Sequence, residues 1–262
     1  MKVPDPNFHI YLCFGQSNME GVNNSTNHFI PEEYKKYNNE RFKVLAAVDM
    51  PKLCREKENW YTAVPPIVRE DRGLCPADNF GRTLVNRISN PDIKIGVIIV
   101  AVSGAAIDIF DKENFKKYIK NLDADTVSWM SHSYGIHNSN PYARLVELAK
   151  TAQKDGVIRG ILLHQGESGG GTPNWRENVK RIYDDLLRDL NLESNSIPLL
   201  AGQPIRYGID NINSLPALSS QFHVISSNGC KALGGDDTDH FSPEGMMELG
   251  KRYADKMIEL IY

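Results

Sequence analysis

Cysteine is scarce in this chain of 262 residues. Cys13, Cys54, Cys75 and Cys230 show no CxxC spacing, which removes the usual signature of a zinc site. Cys13 lies in an apolar run and reads as a small buried hydrophobe. Cys54 and Cys75 share an irregular region and could pair if the protein is exported. A basic excess is also missing: 30 Lys and Arg stand against 33 Asp and Glu, for a net charge of −3. Without a Lys/Arg cluster no nucleic-acid partner is expected. No apolar run approaches the roughly 18 residues that a membrane span needs. No Pro/Ser/Gly-rich linker divides the chain, so 1–262 is expected to be a single domain. Met1-Lys2-Val3-Pro4-Asp5-Pro6 lacks the apolar core of a signal peptide. Such a start also suits a mature terminus with a leader removed; export to the periplasm or cell exterior is the expectation, with a cytoplasmic location left open.

What the chain does have is a series of strands, each ending in polar, glycine-bearing turns. Phe8 to Phe14 is continuously apolar or β-prone, as strands buried on both faces of a parallel sheet are. It ends in Gly15-Gln16-Ser17-Asn18. Further strands are read at 42–48, 93–102, 157–163, 197–201 and 222–226, those at 93–102 and 157–163 as buried and the last two as short. Amphipathic helices are read at 76–88, from Asn140-Pro141 to Gly156, from Thr172-Pro173 to Leu190, and after Ser242-Pro243. Trp175 fits the buried stripe of its helix. Residues 49–76 read as a long loop at the rim of a site, and 111–139 as polar, with a short helix at 113–120. The alternation implies a parallel sheet between helices, with right-handed crossovers.

In an open parallel sheet the carboxyl ends of the strands share one edge. Ser17, Gly104, and Gln165 with Glu167 all fall at such ends, while Asp237 and His240 sit in the loop before the last helix. Together they suit acyl transfer. A serine hydroxyl needs a base during attack, and His240 is the best candidate, histidine being a common general base. Asp237, three residues earlier, could hold the other ring nitrogen. The N–H groups of Ser17 and Gly104 and the side-chain amide of Gln165 would meet the oxyanion. Taken singly, each has a plainer role: Ser17 as a helix cap, Gly104 as a turn glycine, Gln165 and Glu167 as loop braces, His240 as a helix-end residue. Asp236, Asp237 and Asp239 could form a solvated acidic turn, and they lack an EF-hand pattern. His132 and His137 fall on different faces of a helix and read as loop or surface residues. No metal and no cofactor are expected.

Gly15-Gln16-Ser17-Asn18-Met19, the strand and turn from Ile95 to Gly104, Gly160 to Ser168, and Asp237-Thr238-Asp239-His240-Phe241 resemble the signature blocks of the SGNH hydrolases. The resemblance is to the sialate O-acetylesterase-like branch, which includes the acetylxylan esterases of carbohydrate esterase family six. It covers residues 7–260 in order. It implies a three-layer α/β/α flavodoxin-like fold and a secreted carbohydrate O-acetylesterase. Carried over, Ser17 matches the nucleophile, Gly104 the oxyanion glycine, Gln165 the usual asparagine, and His240 with Asp237 the closing DxxH; Gln16, Asn18 and Glu167 are supporting residues. Glu167 could share in orienting the histidine. The expected partner is an acetylated carbohydrate. Xylan or another plant glycan is favoured over sialic acid, because Arg55, Arg69, Arg72, Arg82 and Arg206 are scattered in sequence. Trp60, Tyr61 and Trp129 are candidates to stack on sugar rings. A short-chain, lipid or thioester hydrolase and a non-catalytic carbohydrate-binding module are the alternatives.

Overall fold

The computed structural model describes residues 3–22, 30–193 and 195–262, with Trp129 described by its backbone alone. Residues 23–29 thus lie outside the described residues, as does the side chain of Trp129. At the centre is β1 (Phe8–Gly15), paired in parallel with β4 (Lys94–Ala101) on one side and β5 (Val157–His164) on the other. With β2 (Phe42–Leu45), β3 (Trp60–Thr62), β6 (Leu199–Gly202) and β7 (Phe222–Ile225), the order is β3-β2-β4-β1-β5-β6-β7. All neighbours are parallel except β2 and β3, which are antiparallel. A separate antiparallel ribbon joins β8 (Ala232–Gly234) to β9 (Asp237–Phe241).

Side chains of β1 enter two different cores because successive residues of a strand point to opposite faces. Ile10, Leu12 and Phe14 pack into one core, Tyr11 and Cys13 into the other. The helices in chain order are α1 (Ser17–Glu20), α2 (Glu32–Lys35), α3 (Pro76–Arg87), α4 (Phe115–Asn121), α5 (Ala124–Gly135), α6 (Pro141–Ala152), α7 (Trp175–Asp189), α8 (Ile209–Asn213) and α9 (Pro243–Ile261). α6 and α7 cover the Ile10 face, and α3 and α9 the Tyr11 face. Each of two expected helix starts has its cap. The Asn140 side chain accepts from Ala143 N–H at 3.0 Å and Ser242 Oγ from Gly245 N–H at 3.2 Å, with proline at the first helical position where a missing N–H costs nothing. None of the helices among the described residues is long and apolar enough to cross a membrane.

Four expectations need correction. The 49–76 segment is more than a loop, since it supplies β3, a three-residue edge strand held by backbone pairing to β2. Residues 111–139 hold α5, started by Asp123, whose carboxylate accepts from Thr126 N–H at 2.8 Å. His137 is no surface residue: it is 1% exposed, with Nε2 at 3.2 Å from the Ala101 carbonyl. Burial pushes its pKa down to about 4. Cys54 and Cys75 do not pair, because Cys75 is buried at the start of α3 while Cys54 is exposed, and all four thiols are free.

Candidate active site

The site lies at the carboxyl edge of β4, β1 and β5, where the chain's direction of travel across the sheet reverses; crevices of open α/β sheets form there. β1 ends at Gly15, where an added Cβ would meet the His164 carbonyl oxygen at 2.0 Å. Only glycine fits so close an approach. Gln16 N–H then donates to that same carbonyl at 3.1 Å, and the chain turns into α1 with Ser17 at its first position.

Ser17 Oγ lies 2.9 Å from His240 Nε2. On the far side of the ring, His240 Nδ1 lies 2.7 and 3.0 Å from the two carboxylate oxygens of Asp237. Asp237 Oδ1 also accepts from the N–H groups of Asp239 at 3.2 Å and His240 at 3.1 Å, so the chain curls around the carboxylate. Burial pushes the Asp237 carboxyl up, but the His240 hydrogen bond and these backbone donors outweigh it and hold it below the usual carboxylate range. An ionised carboxylate, an imidazole and a hydroxyl in one hydrogen-bonded line can move a proton from oxygen to ring nitrogen and stabilise the resulting charge.

The hydroxyl and the imidazole border a cavity of about 370 Å³ whose wall includes Ser17, Gly104, His240, Glu167, Gln16 and Arg72. Gln165 is elsewhere, and its expected part as an oxyanion donor is corrected. It is 1% exposed, and the two hydrogens of its amide are shared among three acceptors, Gln16 Oε1 at 3.0 Å, Ala105 O at 3.2 Å and Ser168 O at 2.6 Å. Its Oε1 accepts from the buried Trp175 indole N–H. With every hydrogen taken, it ties three loops together and has none left for a ligand.

Glu167 does not touch His240 either. Its Oε1 accepts from Asn18 Nδ2 and lies 3.2 Å from His164 Nε2. Burial raises its pKa, and the His164 contact together with the Asn18 hydrogen bond and a backbone donor more than offsets that, leaving it lowered. Its influence on His240 runs through Asn18, which donates to Asp239 O at 3.0 Å and accepts from Phe241 N–H at 3.2 Å.

Two features had no sequence signal. Glu20, at the end of α1, is wholly buried and ion-paired with Arg69 at 3.1 Å and Arg72 at 3.3 Å. It also accepts from Ser103 Oγ, beside Gly104, and from Ser133 Oγ at 2.8 Å. The arginines scattered in sequence therefore converge in part: Arg69 and Arg72 share one carboxylate, and Arg72 reaches the cavity wall. Spacing alone does not distinguish a buried glutamate from a solvated one. The second feature is Tyr207, 54% exposed beside Arg206, which bonds Asp239 at 2.8 Å. Trp60, by contrast, packs edge-on against Phe8 at 4.8 Å, at the opposite end of β1 from Ser17, and Trp175 is core. The Tyr61 hydroxyl accepts from Glu56 N–H at 2.9 Å. Among the described residues no group of three His, Cys, Asp or Glu is placed to hold a metal ion.

Several solved structures share this fold. A protein of Arabidopsis thaliana is 21% identical over 97% of this chain and 99% of its own, with a TM-score of 0.72. NanS is 15% identical over 98% and 99%, with a TM-score of 0.64. A carbohydrate acetylesterase from Xanthomonas citri is 14% identical, with a TM-score of 0.62, over 94% of this chain and 55% of its own. Residues 7–259 match the family described as carbohydrate esterase, sialic acid-specific acetylesterase. The chain belongs to that family of carbohydrate esterases.

Proposed function

We propose that the protein, as one esterase domain over 1–262, removes O-acetyl groups from a carbohydrate by a serine mechanism. The observation that carries this is the Ser17–His240 contact of 2.9 Å, backed by Asp237 at 2.7 Å, on the wall of an open cavity. Ser17 Oγ attacks the acetyl carbonyl carbon as His240 Nε2 takes its proton. The ionised Asp237 holds the ring by Nδ1 and offsets the imidazolium charge. The oxyanion accepts from the N–H groups of Ser17 and Gly104, each such donor being worth roughly a hundred- to a thousandfold in rate. The C–O bond to the sugar breaks, and the sugar oxygen takes the proton from His240. Water, deprotonated by His240, then attacks the acetyl-enzyme, releasing acetate and restoring Ser17.

Acetylated xylan or another plant glycan is one substrate. O-acetylated sialic acid is the second, and Arg72 on the cavity wall favours it, since a guanidinium pairs with a sugar carboxylate. Acetate release from the two materials tests the choice. Full turnover by Ser17→Ala would overturn the serine mechanism. Activity on p-nitrophenyl esters that rises from acetyl to longer chains would favour a lipid or thioester hydrolase instead.

A further inference from the structure

A second cavity, of about 480 Å³, shares no wall residue with the first and has no part in the chemistry above. Its wall carries Arg206, Tyr207, Asp210 and Asn211. One ion pair links it to the wall of the Ser17 cavity, and one close backbone approach links it to the turn that carries Glu167 and Ser168 of that wall. Arg206 bonds Asp239 at 2.8 and 3.2 Å, and Asp239 belongs to the wall of the first cavity. Gly208 packs so tightly on the turn from Gly166 to Gly170 that an added Cβ would meet Gly170 Cα at 2.9 Å and Gly166 O at 3.0 Å.

The segment is fixed as well as close. Gly208 takes a left-handed φ of 73°, open to glycine and costly for most residues. Asn211 Nδ2 donates to Gly170 O at 2.7 Å and Thr172 O at 2.9 Å. Tyr207 is thus presented on a braced turn, with Arg206 over its ring at 5.2 Å. An exposed aromatic ring has little reason to be held so firmly unless something covers it. The polar neighbours narrow the ligand: the Asp210 carboxylate has no hydrogen bond or ion pair among the described residues, and an aromatic face beside free acceptors and an arginine suits a sugar ring, with its apolar C–H face and hydroxyl rim.

We propose that the Tyr207 cavity is a subsite for a second sugar ring of an oligosaccharide whose acetylated ring sits at Ser17. The proposal rests on the esterase reading above, and it makes the preferred substrate an acetylated chain rather than a single sugar.

The test compares mono-O-acetylated monosaccharides of xylo, manno and gluco configuration with their mono-O-acetylated trisaccharides, and p-nitrophenyl acetate as a substrate that cannot reach the subsite. Wild type should prefer the trisaccharides through a lower KM. Tyr207→Ala should lose about three- to tenfold in kcat/KM on trisaccharides, the scale of one aromatic contact, with p-nitrophenyl acetate unchanged. Tyr207→Phe should keep the preference. Equal wild-type activity on both lengths, or a trisaccharide preference that survives Tyr207→Ala, would overturn the subsite and leave the esterase reading standing. Hydrolysis of p-nitrophenyl acetate with no activity on any of these acetylated sugars or on O-acetylated sialic acid would overturn both.

Discussion

Asn18 grips the backbone of Phe241: its Oδ1 accepts the Phe241 N–H at 3.2 Å while its Nδ2 donates to the Asp239 carbonyl at 3.0 Å. The residue after Ser17 thus holds the chain on both sides of His240, and a third bond anchors it to Glu167. The distance between hydroxyl and imidazole is set by this side chain as well as by packing. Asn18→Ala should lower kcat about a hundredfold, the scale of an ångström-sized misplacement, with a smaller change in KM. Steady-state kinetics with a thermal melt would show whether the loss exceeds any loss of folded protein.

Asp237 should matter through its charge. Asp237→Asn keeps the shape but offers Nδ1 a donor as readily as an acceptor, so the ring can settle in the wrong tautomer. The comparable change in serine proteases costs about ten-thousandfold. A fall in kcat of that order, with KM little changed, is expected here; retention of more than a tenth of the wild-type rate would contradict the part assigned to Asp237.

Glu20 is the buried counter-charge shared by Arg69 and Arg72, with Asp71 as a second partner of Arg69 at 2.9 Å. Glu20→Gln keeps the volume and leaves two guanidinium groups without their shared buried counter-charge. Breaking such a cluster costs about 3–5 kcal/mol, readable as a lower urea midpoint. Because Ser103 also bonds Glu20, activity on p-nitrophenyl acetate should fall in the fraction that stays folded.

His137 should make stability depend on pH. Its Nδ1 is buried without a hydrogen-bond partner among the described residues, and its pKa is pushed from 6.5 down to about 4. The native ring stays neutral where the unfolded ring is already protonated. Between pH 6.5 and 4 the unfolded state therefore binds more protons, and stability is lost as pH falls, by about 3 kcal/mol across the window. Asp78, raised to about 6 by burial, acts in the opposite direction, so the test is a difference between variants. His137→Gln should flatten the slope of unfolding free energy against pH relative to wild type; an unchanged slope would show that another group dominates.

The buried strands β1, β4 and β5 were legible because a parallel strand covered on both faces is apolar throughout. The turns after them were legible as places where distant residues could meet, with Ser17 and Gly104 at two of these turns and His240 just before the last helix. Other parts left no such trace. β3 is three residues long, β9 is the polar run Asp237–Phe241, and α5 has no clear apolar stripe, so periodicity passes over all three. The partners of Gln165 and Glu167 depend on where Trp175, Ser168, Asn18 and His164 arrive in space. Tyr207 looks like any loop tyrosine until the glycine turns beneath it are seen.

The bond between Ser17 and His240 spans 223 positions of the chain. While the protein is being synthesised, the sheet could begin to assemble around the first strands long before the last ribbon leaves the ribosome, since translation adds only about 5–20 residues per second. The hydroxyl would wait through that interval without its base. Turnover would begin only once the final hairpin and terminal helix had docked, so the onset of ester cleavage during cell-free translation would serve as a clock for completion of the fold.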